Sequence, residues 1–172
     1  DHPKHHRDYE CEYASEQISR FHPESILDVG SYRDWLAGLM AHYAVTTVDV
    51  RDRESNLSNE TIINQDVRNL DMADSSIDMM TTLHTIEHFG LGRYGDEFDP
   101  EGDRKAVIQF IRVIKPGGHF LFSIPVTAGR ACIAFNSHRI YTMDMIRSWV
   151  AELTLESEIF IKRKPAKLCN ES

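Results

Sequence analysis

Short apolar runs alternate with amphipathic stretches along most of the chain. Tyr9, Tyr13, Gln17 and Phe21 recur at i+4 spacing, which predicts a lead-in helix closed by His22-Pro23. Residues 25–29 form an apolar run ending in Asp28-Val29-Gly30, the pattern of a buried strand followed by a turn. Trp35, Leu36, Leu39, Met40 and Tyr43 give one helical face over 34–43. A β-branched run at 45–50 predicts a second strand, and 61–65 and 77–83 predict a third and a fourth. Residues 51–60 are polar and carry no helical face. After a Gly-rich loop at 90–95, Asp99-Pro100 reads as a helix start, with Asp as the cap and Pro at the first helical position. That helix carries Val107, Ile108, Phe110, Ile111 and Ile114 and stops at Lys115-Pro116-Gly117-Gly118. A fifth strand is expected at 119–126, a helix from Thr142 to about 153, and a sixth strand at 155–161.

Strands that alternate with helices at this spacing predict an α/β fold: a doubly wound, mostly parallel sheet. Right-handed crossovers place the carboxyl ends of its strands on one edge, where such sheets bind ligands. A chain of 172 residues fits a single domain spanning 1–172. Residues 1–8, with His2, His5 and His6, read as a flexible tail.

Charge narrows the function. Nineteen Lys and Arg against 27 Asp and Glu leave a net charge of −8. That balance argues against nucleic acid as a partner, since such binders carry a basic stripe. It also argues against a polybasic membrane surface, the one basic cluster being Lys162, Arg163 and Lys164. No apolar run is long enough to span a bilayer, so no membrane span is expected. Cys11, Cys132 and Cys169 are odd in number and widely spaced, which fits a reducing cytoplasm and no disulfide framework.

The strand ends hold the candidate chemistry. Gly30 lets backbone approach a ligand closely, and Asp28 beside it can accept hydrogen bonds from loop amides or an amine. Asp49 ends the second strand nineteen residues after Gly30, a spacing that suits a carboxylate gripping ribose hydroxyls. The alternative for Asp49 is a solvated acid paired with Arg51. Asp66 can accept from an adenine amine, or can serve as a turn acid. Gly30 is followed by Ser31-Tyr32-Arg33 and no second glycine, so a pyrophosphate would meet Tyr32. An adenosine ligand without a pyrophosphate fits better, and a nicotinamide cofactor is disfavoured.

These pieces in order, Ile26-Leu27-Asp28-Val29-Gly30, Val48-Asp49-Val50, Asp66, Ile77-Asp78 and Val113-Ile114-Lys115-Pro116-Gly117-Gly118, resemble the motifs of class I S-adenosylmethionine-dependent methyltransferases. The resemblance runs from about residue 18 to 163. More narrowly, Leu83-His84-Thr85-Ile86-Glu87-His88, the 90–96 loop and Asp99-Pro100-Glu101-Gly102-Asp103 resemble a small methyltransferase-like family, some of whose members are associated with surface-polysaccharide and sugar modification. The resemblance implies S-adenosyl-L-methionine as cofactor and a Rossmann-like methyltransferase fold. It implies that Asp28 and Gly30 line the methionine part and that Asp49 takes the ribose. Asp66 with the backbone of Val67 would hold the adenine, and Leu83 and His84 would border the sulfonium. Tyr32 departs from the usual second glycine and is expected to close over the cofactor. Methyltransferases of this class end in a hairpin, which here is expected to be incomplete. An incomplete sheet edge invites pairing, so a homo-oligomer is an expected partner state.

Methyl transfer to a hydroxyl needs an aligned acceptor and a general base. His88 is the preferred base, with Glu87 orienting an imidazole. The alternative is that His84 packs under the cofactor and His88 caps the fourth strand. Thr85 follows His84 where a zinc HExxH motif needs Glu, so no metal is assigned. Asp96, Asp99, Glu101 and Asp103 read as acids at a helix start, with a magnesium site as the alternative. Arg93, Tyr94, His138 and Arg139, with Asn136 and Tyr141 nearby, are the candidate acceptor-binding residues. They suit a small-molecule acceptor such as a phosphorylated or nucleotide-linked sugar. A catalytically inactive, methyltransferase-like binding subunit is the competing function.

Overall fold

The computed structural model describes residues 5–134 and 137–162. Five parallel strands form one sheet in the order β3-β2-β1-β4-β5. They are β1 (Ile26–Val29), β2 (Val45–Asp49), β3 (Glu60–Asn64), β4 (Ile77–Leu83) and β5 (Ile114–Ser123). The helices are α1 (His6–Phe21), α2 (Arg33–Leu39), α3 (Gly102–Val113) and α4 (Met143–Trp149). A separate antiparallel hairpin, β6 (Cys132–Ala134) with β7 (His138–Ile140), follows β5. The sheet is the doubly wound arrangement that the alternation predicts. The strand order reverses between β1 and β4, where such sheets open a crevice.

Every residue of β1 is buried, as a central strand covered on both faces requires. Successive residues go to opposite faces. Ile26 and Met79 pack with Ile18, Leu36 and Met40 beneath α1 and α2. Leu27 and Met80 pack with Ala106, Val107, Phe110 and Val113 of α3 on the other face. Among the described residues, no helix is long and apolar enough to cross a membrane.

Several boundaries differ from the sequence reading, each for a local reason. Of the expected tail, residues 6–8 form the first turn of α1, because His5 caps it: its backbone N–H donates to Asp8 Oδ2 at 2.6 Å and its ring accepts from Arg7 N. His2 lies outside the described residues. The buried stripe of α1 is Glu10, Ala14, Gln17 and Ile18, while Tyr9 of the expected stripe is exposed. The helix does end where expected, with His22 in the left-handed region at φ 47° before Pro23.

Asp99 caps a turn rather than α3. Its carboxylate accepts from Glu101 N, and the helix starts at Gly102, whose Cα packs against Gly90 too closely for a side chain. β5 starts at Ile114, earlier than expected, because a register shift absorbs Lys115–Gly118. α4 keeps Thr142 as its cap, with Thr142 Oγ1 accepting from Met145 N, but ends at Trp149.

The expected sixth strand does not form. Residues 155–161 pair with no strand among the described residues, and Leu155 and Phe160 are 66% and 64% exposed. The segment is tied to the body through the Ser157 hydroxyl, which meets Tyr13 and Gln17 of α1. The hairpin β6–β7 stands where the sequence predicts only a polar loop. Asn136, between its strands, lies outside the described residues, as do Arg163, Lys164 and Cys169.

Candidate functional site

The loop after β1 is held from below. Gly30 sits at φ +69°, and a Cβ there would lie 2.4 Å from Thr85 Cγ2, so the β1 turn and the β4 turn touch. Asp28 is fully buried. It accepts from Ser31 N at 3.1 Å, Ser31 Oγ at 2.5 Å and Thr81 Oγ1 at 2.7 Å. Ser31 Oγ in turn accepts from Leu83 N at 3.0 Å. Burial raises the Asp28 pKa to about 6 against the pull of these hydrogen bonds. Asp28 therefore braces the turn and does not line the cavity above it.

That cavity, about 410 Å³, opens at the carboxyl edge of β1, β2 and β4. Its wall brings together Gly30, Tyr32, Asp49, Asp66, Val67, Leu83, His84 and His88, with Tyr94 at one side. Asp49 is buried, and its carboxylate accepts from Arg51 Nε at 2.9 Å and Nη2 at 2.6 Å. Burial alone would raise its pKa, but the Arg51 guanidinium outweighs this and holds it below the usual carboxylate range. Asp66 is likewise gripped by Arg68, whose hydrogen bonds hold its carboxyl low, and it caps the short 3-10 turn at Val67–Asn69. Both alternatives weighed for these acids, ligand contact and arginine pairing, are visible in the geometry: each acid lines the cavity and each is paired within two residues.

The two histidines one turn apart sit in opposite environments. His84 is in the left-handed region, at φ 52°. Its Nδ1 lies 2.8 Å from Glu87 Oε1 and its Nε2 lies 3.0 Å from Glu10 Oε1 of α1. Burial opposes its charge, but the two carboxylates win and raise its pKa to about 9. His84 is thus an imidazolium at neutral pH. His88 Nδ1 lies 2.7 Å from the Ser137 carbonyl, which can only accept, so Nδ1 carries the proton. Burial lowers the His88 pKa, leaving a neutral ring with its lone pair on Nε2. Glu87 is buried, lies 4.0 Å from that Nε2 through Oε1, and has no hydrogen-bond partner at Oε2 among the described residues.

The acceptor candidates divide. Tyr94 and His138 lie beside His88, with ring centroids 5.6 and 6.3 Å away. Arg93 reaches across from the Gly-rich loop, Nη1 donating to the Ser137 carbonyl at 3.0 Å. Arg139 does not join them. It is buried, donates to the carbonyls of Phe89, Asp99 and Pro100, and pairs with Asp103 at 3.3 Å. Tyr141 donates to the same Asp103 at 2.8 Å, and burial raises its pKa. Asp96 organises the loop by accepting from Gly90, Gly92 and Tyr94 N–H groups. Asp99 pairs with Lys105 and Arg68. No group of three or more His, Cys, Asp or Glu side chains could hold a metal ion among the described residues.

Residues the sequence reading missed include Arg7 and Glu10 on α1 and the arginine Arg68. One signal was available: Glu10 follows Arg7 by three positions, so the two share a helix face.

The fold has solved counterparts. The Burkholderia thailandensis 1,6-didemethyltoxoflavin-N1-methyltransferase, with bound 1,6-didemethyltoxoflavin and S-adenosylhomocysteine, aligns with a TM-score of 0.58 at 16% identity, over 88% of this chain and 80% of that one. The N-methyltransferase NodS from Bradyrhizobium japonicum aligns at 0.54 and 18% identity, over 69% and 68%. The cyclase SpnF aligns at 0.62 and 17% identity, over 83% and 55%. These likenesses establish a Rossmann-like methyltransferase fold, and the presence of a cyclase among them shows that the fold alone does not dictate the reaction. No curated protein matches the chain. Residues 37–161 match one family model, and on that match the chain belongs to the family described as Caenorhabditis protein of unknown function, DUF268.

Proposed function

We propose that the protein transfers a methyl group from S-adenosyl-L-methionine to a hydroxyl of a small molecule, a sugar or nucleotide-linked sugar. The observation that carries this reading is the meeting of Asp49, Asp66, the Gly30 turn and His88 in one cavity at the carboxyl edge of the sheet. The residues fit the cofactor. Carboxylates suit hydroxyl and amine donors, Val48, Val67 and Leu83 offer apolar wall, and the volume falls within the usual range for small-molecule sites. Asp49 would hold the ribose and Asp66 with Val67 the adenine. Gly30, Tyr32, Leu83 and His84 would border the methionine end, with Asp28 acting from beneath. When bound, the cofactor supplies an electrophilic methyl on a sulfonium.

His88 acts as the base. Its Nε2 lone pair takes the acceptor's proton, and Glu87 at 4.0 Å balances the imidazolium that forms. His84 is unsuited to that task, since carboxylates engage both its nitrogens. Tyr94 and His138 beside His88 support an acceptor that can stack and hydrogen-bond, and Arg93 supports one that carries a phosphate. The three dispersed cysteines support a reducing, cytoplasmic setting.

Calorimetry with S-adenosylmethionine and S-adenosylhomocysteine, followed by methyl-transfer assays on nucleotide sugars, tests this reading. His88→Ala is expected to cut turnover about 100-fold or more while keeping cofactor affinity. Absence of both binding and transfer would sink it. A second reading, a non-catalytic binding subunit, draws on the hold that Arg51 and Arg68 keep on Asp49 and Asp66. It predicts that neither cofactor nor product displaces those pairs.

A further inference from the structure

The first helix enters the site on the face that carries Arg7 and Glu10. Glu10 is buried, and its carboxylate meets His84 Nε2 at the tip of β4. That contact pins the first turns of α1 over the carboxyl edge of the sheet. Arg7, one turn earlier on the same face, thereby becomes part of the cavity lining. Its guanidinium lies 5.1 Å from the centroid of the Tyr32 ring, within cation–π reach.

The other arginines of the lining are neutralised. Arg33 pairs with Glu60 through two hydrogen bonds of 2.5 and 2.6 Å, Arg51 with Asp49, and Arg68 with Asp66. Among the described residues, no ion pair or hydrogen bond joins the Arg7 side chain to a carboxylate; its neighbour is the half-exposed ring of Tyr32. A guanidinium held over a ring, with no carboxylate on it among the described residues, is placed to take a planar anion through two parallel hydrogen bonds.

The strand order says which end of a ligand Arg7 would meet. Asp66 follows β3 and Asp49 ends β2, whereas Tyr32 and His84 follow β1 and β4. Neighbouring strands lie about 4.8 Å apart, so the acidic and the Arg7 ends of the cavity are separated by about two strand widths. An elongated ligand that places a ribose and base on the acids puts its far end under α1.

We propose that Arg7 binds the carboxylate of the amino-acid end of the cofactor, with Tyr32 as the platform that holds the guanidinium ready. The aromatic side chain that replaces a second glycine in the β1 turn is then the seat of a carboxylate anchor. This rests on the cofactor reading above and adds a residue and a ligand group to it.

The test compares two ligands on the full chain by calorimetry: S-adenosylhomocysteine, and 5′-methylthioadenosine, which keeps the adenosine and thioether but lacks the amino acid. Arg7→Gln is expected to weaken S-adenosylhomocysteine at least tenfold and to leave 5′-methylthioadenosine within twofold. Tyr32→Leu is expected to show the same selectivity at about threefold. Equal loss for both ligands, or no loss for either, overturns the assignment of Arg7 while leaving the cofactor reading intact. A wild-type chain that binds neither ligand overturns both.

Discussion

Three acids end or follow strands on the same edge of the sheet, and they live in two different worlds. Asp28, beneath the floor of the cavity, is sealed from solvent and satisfied by a backbone amide and two hydroxyls. Asp49 and Asp66, on the rim, face the cavity and are satisfied by the side chains of arginines two residues on. A hydroxyl fixed in a β-strand cannot leave its acceptor without disturbing the sheet. An arginine side chain can turn from its acid to another partner by rotamer changes alone, and Arg51, 56% exposed, has solvent to turn into. The floor is therefore built to hold shape, and the rim is built to exchange partners.

The sharpest way to break that distinction is to delete the floor acid. Asp28→Ala strands Thr81, Ser31 and a loop amide, and is expected to cost about 3 kcal/mol of stability in urea unfolding. With its pKa raised to about 6 from an unfolded value of 3.8, Asp28 also makes wild-type stability fall as pH rises from about 4 through about 6. Asp28→Asn should flatten that decline. On the rim, Asp49→Ala is expected to weaken S-adenosylhomocysteine about 30-fold, roughly 2 kcal/mol, with stability little changed. A loss of stability matching that of Asp28→Ala would erase the contrast between floor and rim.

A third substitution probes where the two regions join. His84 has its pKa raised from 6.5 to about 9, so the stability it supplies is complete below pH 6.5 and is lost as pH climbs through about 9. Glu10→Gln is expected to cost about 1–2 kcal/mol at pH 6 and progressively less toward pH 10, read as the shift in urea midpoint. A pH-independent cost would mean that Glu10 matters for packing alone. The smallest effect is expected far from both regions. Phe160→Ser, on an extended segment with that ring 64% exposed, should stay within about 0.5 kcal/mol of wild type.

The sheet was legible because its signals are local. Ile26–Val29 carries its burial in four consecutive residues, and the β-branched 45–49 run needs no distant partner to be read as a strand. The phase of α1 was not legible. Tyr9 falls on the stripe that the spacing predicts and Glu10 does not, and only His84, brought across the fold, makes a buried glutamate sensible. Arg139 misled for a similar reason. A guanidinium after the fifth strand suits a substrate, until β7 carries it beneath Phe89 and three carbonyls claim it. The 155–161 run has strand-forming residues, but a strand needs a neighbour as well as a propensity. At the site, residue type and position located Asp49, Asp66, His84 and His88 in one cavity, whereas the roles of the two histidines depended on Glu10 and the Ser137 carbonyl, which no local pattern joins to them.

The hydrogen bond from Thr81 to Asp28 closes 53 residues of chain, and the link from Glu10 to His84 closes more. Contacts of that span carry a loop-closure cost before they return anything, and they form late. The cavity cannot take shape while β1, β2 and β3 are the only strands in place. It waits for β4 to dock beside β1, and the first helix, although first in the chain, acquires its anchor only when His84 arrives. Refolding should therefore show the ligand pocket becoming competent no earlier than the core buries its aromatic residues, since Phe110 packs on the same β1 and β4 strands.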